Sequence, residues 1–534
     1  VGPILVGLIA VVASAAGLRN QFVYDDVSII EANQRLHDLG NWFAILTSPY
    51  WPPPFAPELY RPLSSLLFAL EWTLGGGDPL IFRIVCYALY AATSVAVFAL
   101  AKRVVSPFVA LAVGALFAAH PVHVEAVALG VNQSELLVSL IAVWSVIFYI
   151  DRRRAGTLAT SDWRRLAVAY GAAALIKEHA FILPGLLLAA ELFVIDSTHA
   201  RERFTMLWRG YASLIAVGVS LLVMRFLVLQ GSVLGAVPAG VFKETDAFGR
   251  VLTMLAVVPT WLRLLVWPAH LQIDYSPNEI VASTGFGFAE AAGLSAIIAA
   301  MVLAFALRKR IPGVSFGLAW FAIALFPVSN FAFPTGIILA ERTLLLPSVG
   351  FVIAVGAVVD ALLTVSRARV LSYTIATACF ALVALGVLKS ARRQQTYRNS
   401  HRLWLTASVD APKSLRIQRA HREAVDDMVR DYELRIAASS QPWQLRNELA
   451  VLLRVMGADS VAARQFRRSL EANPNQPDVR LELGATLLFL GDYRQAKQVA
   501  DSALATDSSV LLRRLAKAID SASAANAPPR SVRF

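Results

Sequence analysis

Charge is what this chain has least of. Only 16% of its 534 residues are Asp, Glu, Lys or Arg, 57% are hydrophobic, and the mean hydropathy is +0.58. A soluble domain does not tolerate that balance. Apolar runs long enough to cross a bilayer recur over the first 390 residues, which marks a polytopic membrane protein. Cysteine is almost missing. Cys86 and Cys379 both sit inside apolar runs, far apart in sequence, so neither a disulfide framework nor a zinc knuckle is expected. The net charge of +12 is not a nucleic-acid footprint. Residues 390–534 carry 23 Lys/Arg against 15 Asp/Glu, so +8 of the excess lies in the tail, where it suits anionic lipid headgroups better.

The apolar runs can be laid out as eleven helical spans centred near residues 9, 91, 113, 142, 171, 188, 219, 297, 322, 353 and 380. The opening run, "VGPILVGLIAVVASAAGL", reads as a retained first helix rather than a cleaved signal, because "GLRNQ" is a poor cleavage site. Residues 62–75, "PLSSLLFALEWTLG", read as a helix lying in the interface. In this layout the loops at 102–106, 151–165, 197–209, 308–312 and 367–369 hold 15 Lys/Arg in 41 residues. The loops at 19–80, 120–135, 177–180, 229–285 and 331–342 hold 8 in 151. The basic set faces the cytoplasm by the positive-inside bias, and the other set and the tail face outward.

The few charges that remain are concentrated. Five outward helix ends carry "FVYDD" (22–26), "ELYRPL" (58–63), "HPVHVEAV" (120–127), "IKEHA" (176–180) and "AERTLLLP" (340–347). Together they bring Asp25, Asp26, Tyr60, Arg61, His120, His123, Glu125, Lys177, Glu178, His179, Glu341 and Arg342 to one level of the bilayer. Glu191, Arg225 and Asp360 lie towards the ends of their spans. A single charge at a helix end ordinarily anchors the span at the interface. Five separate loops delivering acids, bases and cations to the same leaflet point to a site. The His-x-x-His spacing of His120 and His123 with Glu125 nearby is one half of a metal site, but Pro121 between them breaks the helical face such a site needs, and no metal is assigned.

The tail is a different kind of sequence. Residues 444–477 and 478–511 align with a period of 34: Leu449 with Leu483, Gly457 with Gly491, Ala462 with Ala496, Leu470 with Leu504. "LELGATLLFLGDYRQAKQVADSALATD" reads as two amphipathic helices with Gly491 ending the first. This is the tetratricopeptide pattern of stacked helix pairs. A degenerate earlier unit is expected over 400–443, with Trp404 and Pro412, and residues 523–534 read as a disordered end. The repeats either present a concave peptide-binding surface or serve as a structural appendage.

The order "FVYDD", "YRPL", "HPVHVEAV...SELL", "KEHA", "WPAHLQIDYSP", "AERTLLLPSVGF", then "RNSHRLW" leading into repeats, resembles the transmembrane and tetratricopeptide-repeat family of protein O-mannosyltransferases, within the GT-C superfamily of membrane glycosyltransferases. The likeness covers nearly the whole chain. Where the family has glycine-arginine-alanine before "ELL", this chain has "NQS" (132–134), and its repeat array is shorter than in animal members. The Ala/Arg/Val-rich composition suggests a bacterial member.

The resemblance implies an all-α architecture: a GT-C membrane domain over 1–390, whose first outer loop spans 19–80, followed by a helical repeat domain over 391–522. It implies a polyprenyl-phosphate-linked sugar, mannose in the family, as donor and a Ser/Thr hydroxyl of a protein as acceptor, with the peptide held by the repeats. It places the site outside the cytoplasm: the periplasmic face of a bacterial inner membrane, or the lumenal face of the ER in a eukaryote.

The residues fit that scheme. An isoprenoid tail stays in lipid while its phosphate sits at headgroup level, so the site belongs at outer helix ends. Asp25 is the expected general base, with Asp26 tuning or orienting beside it. In-line attack at C1 would invert the anomeric centre. Lys177 and Arg342, then Arg61, His120 and His123, are the expected donor-phosphate ligands. Glu125, Glu178 and Glu341 are expected to hold the cations, with His179 and Tyr60 in support. No cofactor is required, and a divalent ion bridging carboxylate and phosphate is the alternative. Transfer of another lipid-linked sugar to a glycolipid or glycan is the nearest competing reading. A transporter or an envelope scaffold with a peptide-binding tail is the competing class, although transporters place coupling charges near the midplane on broken helices in matching halves.

Overall fold

The computed structural model describes residues 1–156, 158–195, 200–230, 238–275, 278–366, 369–505 and 509–524. Parts of the expected loops at 197–209, 229–285 and 367–369, and residues 525–534 of the expected disordered end, lie outside the described residues. The chain divides into two compact units, residues 1–403 with 410–415, and residues 404–409 with 416–534.

Helices are the regular elements among the described residues of the first unit. Seven helices are long and apolar enough to cross a membrane, or eight when the pair Pro107–Ala119 and Pro121–Ala128, bent by 45° at His120, is taken as one span. The expected count of eleven is not reproduced. The helices at the expected centres 9 and 322 are shorter apolar pieces, Gly2–Gly17 and Pro312–Val328, and those at 171 and 188 are Thr160–Ile176 and Leu183–Phe193. Ala247–Val266, inside a stretch expected to be loop, is an apolar helix. Asp246 caps its start by accepting from the Gly249 N–H at 2.7 Å. Arg250 ties its first turn to the Asn330 carbonyl, and its last turn carries the Leu265 carbonyl that meets His120. Pro259 and the flanking arginines disguised it in sequence.

The core combines aliphatic side chains such as Val6, Val97, Val113, Leu186 and Val349 with the aromatic rings of Phe117, Tyr149, Phe316 and Trp320. Small residues let helices approach closely where lipid offers no hydrophobic drive to do so. Gly317 in Pro312–Leu325 faces Gly350 in Leu345–Ser366, and a methyl group added at either would run into the other's carbonyl oxygen. The segment that carries Glu341 and Arg342 connects these two closely packed helices.

The second unit contains the expected repeat. Pro442–Val455 pairs with Asp459–Ala472, and Pro477–Phe489 with Tyr493–Leu504, followed by Val510–Ala524. The equivalent residues Leu449 and Leu483, and Ala462 and Ala496, are all buried. Gly457 and Gly491 turn the chain between paired helices at φ +70° and +78°, a left-handed conformation that glycine adopts without strain. Leu415–Ala437 packs Ala424, Val425 and Met428 against Leu449, Leu453 and Met456, covering the first face of the array.

The glycine contact gives a test of the packing. Gly350→Leu should lower the stability of the membrane unit by about 1–3 kcal/mol, because a well-packed interface has no room for it. Thermal unfolding in detergent reads this as a lower midpoint, and an unchanged midpoint would refute the close approach.

Candidate active site

Asp25, Asp26, Arg61, Lys177, Glu178 and Arg342 sit at helix ends or in short turns between helices, where backbone donors and acceptors lack intrahelical partners. The first break follows the opening helix. Tyr24 adopts φ +56°, an uncommon and strained value for a bulky residue. The turn leaves Asp26 fully buried and Asp25, one residue earlier, only half-buried. Asp26 Oδ2 accepts from Arg83 Nη2 at 3.1 Å and from the Gly130 N–H at 3.0 Å, and Oδ1 accepts from the Val131 N–H at 2.9 Å. Burial pushes the Asp26 carboxyl up, against the pull of Arg83 and the two backbone donors. A Cβ at Gly130 would crowd the Ile30 side chain at 3.2 Å and would meet Asp26 only in ordinary contact at 3.5 Å. Asp26 is thus a clamp joining the first loop to the turn at 130, with both oxygens occupied by protein.

The second and third breaks meet each other. Ser64, in the first turn of Pro62–Gly75, donates to the Ile176 carbonyl at 2.9 Å, which brings Arg61 beside Lys177. Lys177 ends Thr160–Ile176 and pairs with Glu135 at 2.5 Å. Its immediate neighbour Glu178 points elsewhere. Glu178 takes Arg61 in a forked contact, 2.9 Å at the shortest, and Arg225 at 2.7 Å. Against the cost of burial, Arg61 and Arg225 hold the Glu178 carboxyl down at about 2. Arg61 also lies over the ring of Tyr50, 5.0 Å from its centroid. Burial, with the adjacent guanidinium groups of Arg61 and Arg342, pushes the Lys177 ammonium down to about 8 in spite of Glu135.

The fourth break supplies the last cation. Arg342, in a 3-10 turn ahead of Leu345–Ser366, is held through its guanidinium and its backbone N–H by the buried carboxylate of Glu125. Asp25 acts electrostatically on Arg342, and Asp25 and Arg61 both act on Tyr50. Asp25, Arg61, Lys177 and Arg342 therefore form one neighbourhood, built from segments up to 317 residues apart. Three partly exposed cations, each braced by a carboxylate from another segment, make a cradle for an anion.

Other expected members stand apart from the cradle. His120 Nε2 meets the Leu265 carbonyl at 2.9 Å while Nδ1 accepts from the Val122 N–H. His123 lies buried between the Tyr90 and Ser348 hydroxyls, at 3.0 and 2.9 Å. Both imidazoles are committed to shaping the bend, so neither has a nitrogen to offer a phosphate. Among the described residues Glu341 makes no ion pair at contact distance: its Oε1 accepts from the Gln272 N–H at 2.6 Å and the Tyr275 hydroxyl at 2.9 Å. The Tyr60 hydroxyl donates to the Leu46 carbonyl, which pins the loop. His179 bridges the Ala324 carbonyl and Glu135. Glu135, Tyr50, Arg83 and Arg225 were not in the expected set. Glu135 stands inside the quoted "SELL", and that was the available signal. Among the described residues, no three His, Cys, Asp or Glu side chains are grouped as a metal site.

A bundle of membrane-length helices whose breaks converge on an anion cradle, followed by helical repeats, defines the class of this chain. Its relatives then give it a context. A tetratricopeptide-repeat profile matches residues 466–498. The mouse (Mus musculus) Protein O-mannosyl-transferase TMTC3 is 26% identical over 419 residues, covering 72% of this chain and 45% of the relative. The human (Homo sapiens) Protein O-mannosyl-transferase TMTC4 is 26% identical over 474 residues, covering 78% and 62%. The Drosophila melanogaster Protein O-mannosyl-transferase Tmtc3 is 25% identical over 405 residues, covering 62% and 43%. These relatives bear out the family resemblance carried by the motifs. The chain spans about half the length of the curated relatives it matches.

The buried clamp can be tested directly. Arg83→Met leaves Asp26 buried without its cation and should cost about 3–5 kcal/mol. The double variant Arg83→Met/Asp26→Asn should recover part of that loss. Unfolding midpoints in detergent check this, and additive losses would contradict a buried pair.

Proposed function

We propose that this chain is a protein glycosyltransferase that moves a sugar, mannose by its relatives' name, from a polyprenyl-phosphate carrier to Ser/Thr hydroxyls on the non-cytoplasmic side of the membrane. The reading has the site and the repeats on the non-cytoplasmic side, which is the periplasm in a bacterium. Its main support is the cradle itself: Lys177, Arg61 and Arg342 within electrostatic reach of one another, with Asp25 acting on Arg342.

The chemistry follows from the charges. A serine hydroxyl is a poor nucleophile at neutral pH, and Asp25 takes its proton as the new C1–O bond forms. The bond from C1 to the donor's phosphate oxygen breaks, and the electron pair leaves with the polyprenyl phosphate. Lys177, Arg342 and Arg61 meet that charge in a place where little water competes, each contributing about 3 kcal/mol to the transition state. Glu135, Glu125 and Glu178 fix the three cations so that little reorganisation accompanies reaction. Asp26 acts one step back, setting the turn that aims Asp25. The repeat unit offers a concave surface for the acceptor polypeptide.

Asp25→Asn should fold and bind donor lipid yet lose at least about a hundredfold in transfer to a Ser/Thr peptide. Full turnover in that variant would remove the base assignment, and label passing only to a glycolipid would move the acceptor class.

Lys177 makes the cradle pH-sensitive. Only the protonated amine attracts phosphate, and its value of about 8 means that donor affinity should fall as pH rises through 8. Lys177→Arg should keep affinity flat to about pH 10, since a guanidinium stays charged there. A wild-type affinity that does not change across that range would take Lys177 out of the phosphate site.

A further inference from the structure

Next to Arg342, on the side of Glu341, lies a second polar cluster that the scheme above leaves unused. Three side chains of the first unit meet there: Glu341, Arg393 near the end of Arg369–Gln394, and Tyr397 in the following turn. All three are at least nine-tenths buried. The Arg393 guanidinium carbon lies 5.9 Å from the centre of the Tyr397 ring, and Arg393 and Glu341 act on each other electrostatically. Tyr397 is within the same reach of Glu125 and Arg342, so the cluster adjoins the cradle.

Among the described residues, Arg393 and Glu341 each have one atom held by protein and others without a partner, and Tyr397 has an unpartnered hydroxyl. Arg393 Nη1 donates to Asp410 at 2.9 Å, but its Nε and Nη2 have no hydrogen-bond partner. Glu341 Oε1 is engaged by Gln272 and Tyr275, but Oε2 has none. The Tyr397 hydroxyl also has none. A buried polar atom left unpaired destabilises the fold, so it is ordinarily satisfied or kept for a use. Here four such atoms from three neighbouring side chains supply cationic N–H donors, a carboxylate acceptor and a hydroxyl that serves either way.

We propose that Arg393, Tyr397 and Glu341 bind the hydroxyl groups of the sugar being transferred. A hydroxyl both donates and accepts. Two adjacent hydroxyls on a ring can accept from a guanidinium fork and donate to a carboxylate, which is the complement this cluster presents. The location fits as well. The sugar is bonded to the phosphate, so its ring lies directly beside whatever holds the phosphate, and Tyr397 is within electrostatic reach of Arg342. A site built to hydrogen-bond hydroxyls rejects a ligand lacking them, because its buried groups are then left unpaired. The inference rests on the lipid-phosphate reading of the cradle.

The test compares polyprenyl-phosphate mannose with polyprenyl phosphate alone, both binding to the purified full chain in nanodiscs. Tyr397→Phe removes only an atom with no protein partner, so its unfolding midpoint should not fall. That variant should bind the mannosylated lipid about tenfold more weakly and the bare phosphate lipid as well as wild type does. Glu341→Gln should show the same selective loss, whereas Lys177→Ala should weaken both lipids. Equal loss of both lipids in Tyr397→Phe, or wild-type affinity for both, overturns the proposal. So does unaltered lipid binding with weaker peptide acceptor binding, which would give the cluster to the acceptor. If wild type binds bare lipid phosphate but gains nothing from the sugar, this inference falls and the phosphate reading stands. If it binds neither lipid, both fall.

Discussion

A charge surrounded by hydrocarbon must be paired, and that requirement organises this molecule. The ion pairs around the cradle join residues far apart in sequence: Arg83 with Asp26, Lys177 with Glu135, Arg61 and Arg225 with Glu178, Arg342 with Glu125. Breaking a buried pair leaves a charge that the interior cannot solvate, so each pair fixes which loops meet. The apolar helices supply volume, while the pairs determine which helix ends meet. Cations held in this way are also preorganised, because their positions are set before any anion arrives.

The pairs differ in what they leave over. Asp26 and Arg83 are both 0% exposed, and Asp26 has its oxygens filled, so that pair is purely constructional. Lys177, Arg61 and Arg342 keep 12–13% of their side chains exposed while their carboxylates hold one edge. Two adjacent aspartates differ in the same way: the turn at Tyr24 sends Asp26 inward and leaves Asp25 half-exposed.

Much of this could be read in the sequence, and the misses have physical reasons. Scarce charges in an apolar chain stand out, so Asp25, Arg61, Lys177 and Arg342 were visible as a set. Glu125 and Glu178, expected beside cations, pair with Arg342 and with Arg61 and Arg225. The partner of Lys177 was not expected, because Lys177 and Glu178 are neighbours in sequence and point different ways, so each crosses to another segment. The histidines of "HPVH" looked like ligands because sequence shows an imidazole but not the carbonyl of Leu265 or the hydroxyls of Tyr90 and Ser348. Ala247–Val266 was hidden by Pro259 and two arginines, and the short helices at both ends of Thr160–Phe193 were legible as apolar runs but not as lengths. The repeat period was plain because Gly457 and Gly491 must recur where the backbone turns left-handed.

The central claim is that three cations from three separate loops hold the phosphate of a lipid carrier. The most direct measurement is a structure of the chain in nanodiscs saturated with polyprenyl phosphate, determined by cryo-electron microscopy. The account predicts density for the phosphate within hydrogen-bond distance of Lys177, Arg61 and Arg342, with the isoprenoid tail leading out between helices into lipid. A phosphate bound elsewhere, or a cradle closed by its own carboxylates at saturating lipid, would contradict it.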